Sequence, residues 1–199
     1  MRSNSKYFLF ILLLFIASCK KTPNAFSVSD FPAKQGDTWT YKRIDSVTLK
    51  VDTVIWSLPG TVTINGKPML LWVQTSLTQT DTGYWYINGD TITLYANGII
   101  SGATDIFCLP VQNGSFWSPV PTGGSPDTYN CSVLNTLSVN GTNYTNAFMF
   151  NRVQSGFDFS AIEGVDVVKG IGIVSYYSHQ VNQGSTSTYQ MSLLKYSLY

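Results

Sequence analysis

Side chains able to act as nucleophile, base or ligand are few and scattered in this 199-residue chain. Nucleophilic catalysis sets a hydroxyl or thiol beside a base, most often histidine, with a third group orienting that base. His179 is the only histidine; it follows Tyr176-Tyr177-Ser178 near an expected strand end, and no Gly-x-Ser-x-Gly turn occurs. It therefore reads as structural. Paired-carboxylate hydrolysis needs two acids facing one cleft. Asp158, Glu163 and Asp166 form the densest acidic cluster, around Gly164, and a solvated loop at a glycine turn accounts for them most simply. Calcium takes several oxygen ligands, yet no Asp-x-Asp-x-Asp run exists. Thr122-Gly123-Gly124-Ser125-Pro126 lacks the spacing and the lysine of a phosphate loop. The expectation is a protein that is not an enzyme and that carries no cofactor and no metal.

The three cysteines pose different questions. Cys19 closes a segment in which Arg2 and Lys6 precede an unbroken apolar run, Phe8 to Ile16, followed by Ala17 and Ser18. Basic start, short apolar core and small-residue exit are the three parts of a secretory signal. The run falls short of the roughly 20 apolar residues that a spanning helix requires. Ile16-Ala17-Ser18-Cys19 resembles the bacterial lipobox, which implies cleavage before Cys19, acylation of its thiol by chains such as palmitate, and a mature protein anchored to a membrane. An ordinary cleaved signal, or an uncleaved anchor with Cys19 incidental, is the plainer alternative. Cys108 and Cys131 remain. Export permits a disulfide between them, and its loop of about 24 residues would contribute roughly 3 kcal/mol; two buried thiols acting as small hydrophobes are the alternative.

Charge narrows the partners. Lys and Arg number 12 against 11 Asp and Glu, so the chain without Arg2 and Lys6 is close to neutral. No Lys or Arg occurs between Lys67 and Arg152. Nucleic-acid binding needs a basic surface to neutralise phosphates, and is excluded.

The elements that would position any site are strands. After the signal, residues 1–18, a polar tether is expected over 19–30, with Lys20, Lys21, Pro23 and Asn24. An all-β domain is expected over 31–199. Trp39-Thr40-Tyr41-Lys42 and Val47-Thr48-Leu49-Lys50-Val51-Asp52 alternate apolar and polar, the period of a strand with one dry face. Asn-Gly pairs at Asn65, Asn88, Asn97, Asn113 and Asn140 tolerate the positive φ angles of a tight hairpin turn. The chain also echoes itself: Phe31-Pro32-Ala33-Lys34-Gln35-Gly36-Asp37-Thr38-Trp39 matches Leu109-Pro110-Val111-Gln112-Asn113-Gly114-Ser115-Phe116-Trp117 as apolar-Pro-x-x-x-Gly-x-x-Trp. Two related units, 31–107 and 109–199, follow from that echo. The expected fold is an antiparallel curved sheet, a half-barrel or a barrel-like sandwich.

Aromatic residues are in surplus, with 5 Trp, 12 Tyr and 11 Phe. In Tyr84-Trp85-Tyr86 the two tyrosines share one strand face and Trp85 takes the other. These three are the candidate ligand-facing aromatics, against the alternative that large rings simply fill a curved core.

In this order, the blocks resemble uncharacterised lipoproteins of the Bacteroidetes. The likeness rests on Phe31, Pro32, Gly36, Trp39 and Tyr41, on the hairpin Val139-Asn140-Gly141-Thr142-Asn143-Tyr144, and on Val167-Val168-Lys169-Gly170-Ile171-Gly172-Ile173-Val174. A terminal strand, Thr188 to Tyr196, completes it; Val167 stands where an aromatic is usual. The resemblance implies export and a β fold, and supplies no activity. With Lys20 and Lys21 after Cys19, it implies a periplasm-facing outer-membrane anchor, or display at the surface. The function expected is a non-catalytic binder or carrier of an apolar or amphipathic ligand. A surface or periplasmic module binding glycan or another envelope protein is the alternative.

Overall fold

The computed structural model describes residues 25–96, 105–118, 127–155 and 159–199. The order is a 3-10 turn, Val28–Asp30, followed by β1 (Thr38–Asp45), β2 (Val51–Ile64), β3 (Lys67–Thr75), β4 (Thr80–Asn88), β5 (Thr91–Ala96), β6 (Asp105–Cys108) and β7 (Phe116–Trp117). Then come β8 (Thr128–Leu134), β9 (Leu137–Val139), β10 (Thr142–Tyr144), β11 (Ala147–Ser155), β12 (Phe159–Val168), β13 (Gly172–Asn182) and β14 (Ser185–Ser197). The chain is all-β, and its described strand pairs are antiparallel. Local sterics set the turns. Asn65 and Gly66 sit at φ 49° and 74° between β2 and β3, and Asn140 and Gly141 at 50° and 80° between β9 and β10, the doubly positive pair a type I′ turn demands. Asn88-Gly89 joins β4 to β5. Asn97 lies outside the described residues, as do Cys19, the Gly123-Gly124 loop and Asp158.

Twelve strands form one sheet in the order β6-β5-β4-β3-β2-β1-β14-β13-β12-β11-β8-β7, with β9 and β10 as a separate pair. Each half of the chain is a meander, and the halves join where β1 meets β14. The sheet curls into a nearly closed, barrel-like wall. At its seam, Phe107 on β6 meets Phe150 on β11 at 5.5 Å between ring centroids and Tyr129 on β8 at 6.3 Å. Trp117 stacks on Tyr129 at 5.3 Å. Aromatic packing, rather than a described ladder, links the two free edges.

One end of the wall is plugged. Phe26 is buried and pairs with Val111 through two backbone hydrogen bonds. Its ring packs near Phe148 and Phe150, and Phe31 packs on Trp85. Residues 25–30, expected within the tether 19–30, therefore belong to the fold: burying the Phe26 side chain is worth about 1.5–3 kcal/mol. Lys169 holds the segment by bonding the Ala25 carbonyl and pairing with Asp30. Burial opposes ionisation of Asp30, but the Ser27 backbone N–H and hydroxyl, together with Lys169, hold its carboxyl below the usual range.

The sequence blocks meet at this plug. The Trp39 indole N–H donates to the Ile171 carbonyl at 2.7 Å, and the Tyr41 hydroxyl to that of Ile173 at 2.9 Å. Gly172 has φ 92°, and a Cβ there would lie 3.1 Å from Pro32 and 3.4 Å from the Trp39 indole nitrogen. The positive φ and the close approach of Pro32 favour glycine there, while Trp39 lies at ordinary contact distance. The echoed segments also make matching bonds. Gly36 N–H donates to Leu58 O and Leu58 N–H to Asp37 O; Gly114 N–H donates to Cys131 O and Cys131 N–H to Ser115 O. Asp37 and Ser115 each accept, through the side chain, from the backbone N–H three residues back.

Candidate functional site: an amphipathic lumen

Residues directly opposite in neighbouring strands share a face, so the register gives the inner surface row by row. One row runs Met191, Tyr176, Val165, Phe150, Cys131 across β14, β13, β12, β11 and β8. It contains no charge. The row two residues further along the same strands reads Tyr189, Ser178, Glu163, Arg152, Tyr129. About 7 Å of strand separates the two. Polarity reverses across one pleat.

The polar row is a bonded layer. Arg152 donates Nη1 to Glu163 at 3.0 Å, and Nε and Nη2 to Asp127 at 3.0 and 2.8 Å. Glu163 also accepts from Gln180 at 3.2 Å and lies 3.5 Å from the Ser178 hydroxyl. It is 6% exposed, and a carboxylate so placed requires such partners. Tyr189 stacks on Tyr176 at 5.6 Å, and burial, with the Glu163 charge, raises its phenol pKa. On the other half of the sheet, Arg43 and Asp52 form a two-point ion pair at 2.9 and 2.5 Å. Gln74 accepts from the Trp56 indole at 2.7 Å and reaches Asp81 at 3.4 Å.

Beneath this layer lies an apolar cavity of 70 Å³, walled by residues that include Trp56, Trp72, Trp85, Phe107, Phe150 and Val165. Phe26 and Phe31 of the plug border it as well. Cys131 lies in the adjoining apolar cluster. Gly83 shapes one wall: a Cβ there would sit 2.5 Å from the Tyr95 carbonyl and 2.9 Å from Trp72 Cε3. The bare backbone therefore lets one edge of the Trp72 ring approach β4 closely. Trp72 is 8% exposed, and its indole N–H has no acceptor among the described residues.

Above the polar layer is an open mouth of 570 Å³, bordered by Arg43, Asp45, Lys50, Asp52, Leu77 and Tyr189 among others. The loops around it carry bare apolar tips, Leu49 at 75% and Leu77 at 84% exposure, with Val47 and Val51 beside them. Leu49 holds φ 57°, unusual for a leucine.

The sequence-derived candidates distribute as follows. Trp85 borders the cavity, packed on Phe31 and Trp39. Tyr84 and Tyr86 alternate onto the outer face, half-buried, with Lys67 5.1 Å above the Tyr86 ring. Glu163 and Asp166 stand within β12 rather than on a loop, because Gly164 is part of the strand. Three residues apart, they face opposite sides of the sheet, so they cannot share a cleft. Burial raises the Asp166 pKa against a lowering hydrogen bond with Ser175. His179 takes the outer face of β13, with Nδ1 2.7 Å from the Thr188 hydroxyl. Cys108 is exposed on β6 and Cys131 buried on β8, both as free thiols; burial pushes the Cys131 thiol up to about 11. Among the described residues, no three His, Cys, Asp or Glu converge to hold a metal.

The layer of Arg152, Asp127 and Glu163 was not read from sequence, nor were the roles of Trp72 and Arg43. One local signal pointed to it: Glu163, the single glutamate, stands among strand-formers in Ala161-Ile162-Glu163-Gly164-Val165.

No family model and no curated protein matches the chain. Among solved structures it is similar to a "putative lipoprotein" from Parabacteroides distasonis, with 12% identity, a TM-score of 0.42, and coverage of 84% of this chain and 98% of that one. It is similar too to a "putative exported protein with YmcC-like fold" from Bacteroides fragilis, with 10% identity, a TM-score of 0.47, and coverage of 87% and 99%.

Proposed function

We propose that the protein is a lipid-anchored, non-catalytic envelope protein that binds or carries an apolar or amphipathic ligand inside its curved sheet. One observation carries this reading. The inner face changes from apolar to charged across a single pleat, directly above an apolar cavity. A ligand with an apolar chain and a polar head matches that division: chain in the cavity, head at the layer of Arg152, Glu163 and Tyr189. The cavity is small against the roughly 300–1,000 Å³ of pockets for drug-sized ligands. A long chain therefore displaces side chains, most readily along the seam closed by Phe107.

The reading puts the anchor at Cys19 and the protein in the outer membrane facing the periplasm, with surface display as the alternative. Support comes from the lipobox-like Ile16-Ala17-Ser18-Cys19 and from Lys20 and Lys21.

Native mass spectrometry of residues 20–199, exported to a periplasm, tests the function. A reproducible adduct that is lost on denaturation supports the carrier. A bare mass that persists after incubation with membrane lipid extracts overturns it. The alternative, a module binding glycan or another envelope protein, draws on the bare tips of Leu49 and Leu77 and on Tyr84 and Tyr86, half-buried on the outer face; burial of Trp85 takes that ring out of such a platform.

A further inference from the structure

One residue of the cavity wall, Trp72, carries a buried polar atom with no hydrogen-bond partner among the described residues. The indole N–H of Trp56 is bonded to Gln74 and that of Trp39 to Ile171. Trp72, in the same wall, is 8% exposed and has no acceptor among the described residues. Buried donors are nearly always paired, and an orphan calls for a specific explanation. Nor is its position slack. Gly83 fits against one edge of the ring, and Trp56 packs on it edge to face at 5.3 Å.

We propose that the Trp72 indole N–H is the recognition donor of the cavity, and that the ligand class is a slender apolar chain bearing one uncharged acceptor, an ester or ketone oxygen, at that depth. The proposal rests on the carrier reading and names the chemistry of the same site. Three observations set the class. The lining side chains are apolar or aromatic, so chain methylenes replace nothing polar. Trp72 contributes the fully buried donor that has no partner among the described residues, so one acceptor satisfies it. No described residue lining the cavity is a cation, and Arg43 and Arg152 above it are engaged with Asp52, Asp127 and Glu163. A carboxylate at the depth of Trp72 would be buried without a counter-charge, which is far costlier than burying a carbonyl. An uncharged oxygen instead regains the hydrogen bond that the orphan lacks.

The test compares three probes of similar length: dodecane, 2-dodecanone and laurate. The protein is residues 20–199, which contain all the described strands and core residues, with a cooperative melt confirmed beforehand. Nitrogen-15 labelling of tryptophan gives one indole signal for each of the 5 Trp, and Trp72→Phe identifies that of Trp72. The expected result is that 2-dodecanone binds about tenfold more tightly than dodecane, the effect of one recovered hydrogen bond of about 1.4 kcal/mol. It moves the Trp72 indole proton downfield, and the preference vanishes in Trp72→Phe. Equal binding of ketone and alkane, or a preference that survives in Trp72→Phe, overturns the proposal while leaving the carrier reading intact. So does tightest binding by laurate with the Trp72 signal shifted. No binding by any probe overturns both. If Trp72→Phe fails to fold, the wild-type spectrum decides: a ketone that shifts no indole signal beyond the effect of dodecane overturns the proposal.

Discussion

The inner face of the sheet has two parts built on the same strands and only one pleat apart. Toward the plug, Met191, Tyr176, Val165, Phe150 and Cys131 pack as an apolar floor. Toward the mouth, Tyr189, Ser178, Glu163 and Arg152 form a bonded polar layer. A strand with one wet and one dry face is the usual division of an antiparallel sheet. Here the division also runs across the strands, on the side that should be wholly dry. Packing density alone would be satisfied by hydrophobes throughout, and exchanging a buried ion pair for well-packed hydrophobes is often neutral or stabilising. The polar layer is thus unnecessary for a plain core, and it is the feature on which the proposed carrier function rests.

The strongest way to break the contrast is to unbalance the layer. Arg152→Ala leaves Glu163 and Asp127 as buried carboxylates without their shared cation, and should cost about 3–5 kcal/mol in denaturant unfolding. A loss under 1 kcal/mol would mean that the layer is open to water and not part of the interior.

Gly83→Ala probes the floor. With a backbone carbonyl 2.5 Å and Trp72 2.9 Å from the new Cβ, the strain should reach about 3 kcal/mol. Trp72 should move, and the thermal melt and tryptophan emission should report both effects. A neutral substitution would show that the wall around Trp72 is loosely set.

Cys131 probes the same floor by charge. Burial raises its thiol to about 11 from an ordinary value near 9. The folded state therefore favours the protonated form. In the reduced protein this contribution is complete below pH 9 and is lost as pH rises toward 11. The difference amounts to about 3 kcal/mol at most and can be read as the excess alkaline destabilisation relative to Cys131→Ala. At neutral pH a thiol reagent should modify exposed Cys108 in the native protein and Cys131 only on unfolding; native labelling of both would contradict the floor described here.

The smallest effect belongs to the mouth. Arg43 and Asp52 have side chains 29% and 21% exposed, so Arg43→Met should cost about 1 kcal/mol or less, diminishing in high salt. A salt-independent loss of several kcal/mol would place this pair in the interior with Arg152.

Much of this architecture was legible locally. Asn65-Gly66 and Asn140-Gly141 are hairpin turns because Asn and Gly alone accept their φ angles cheaply. Alternation separated Trp85 from Tyr84 and Tyr86, and in the fold only Trp85 borders the cavity. Two local readings were displaced by contacts distant in sequence. Residues 25–30 looked like tether because their neighbours are polar, yet Phe26 finds Val111, Phe148 and Phe150 more than 80 residues away. Glu163 looked like a loop acid beside a glycine, yet Arg152, Ser178 and Gln180 reach it across two strands.

By itself the sequence determined the export signal pattern, the strand period, the turns and which residues share a side of each strand, because these follow from backbone sterics and nearest neighbours along the chain. Only the tertiary structure decided which side faces inward, which rows align and where the polar layer lies. Those depend on register between strands, set jointly by side chains that the sequence keeps far apart.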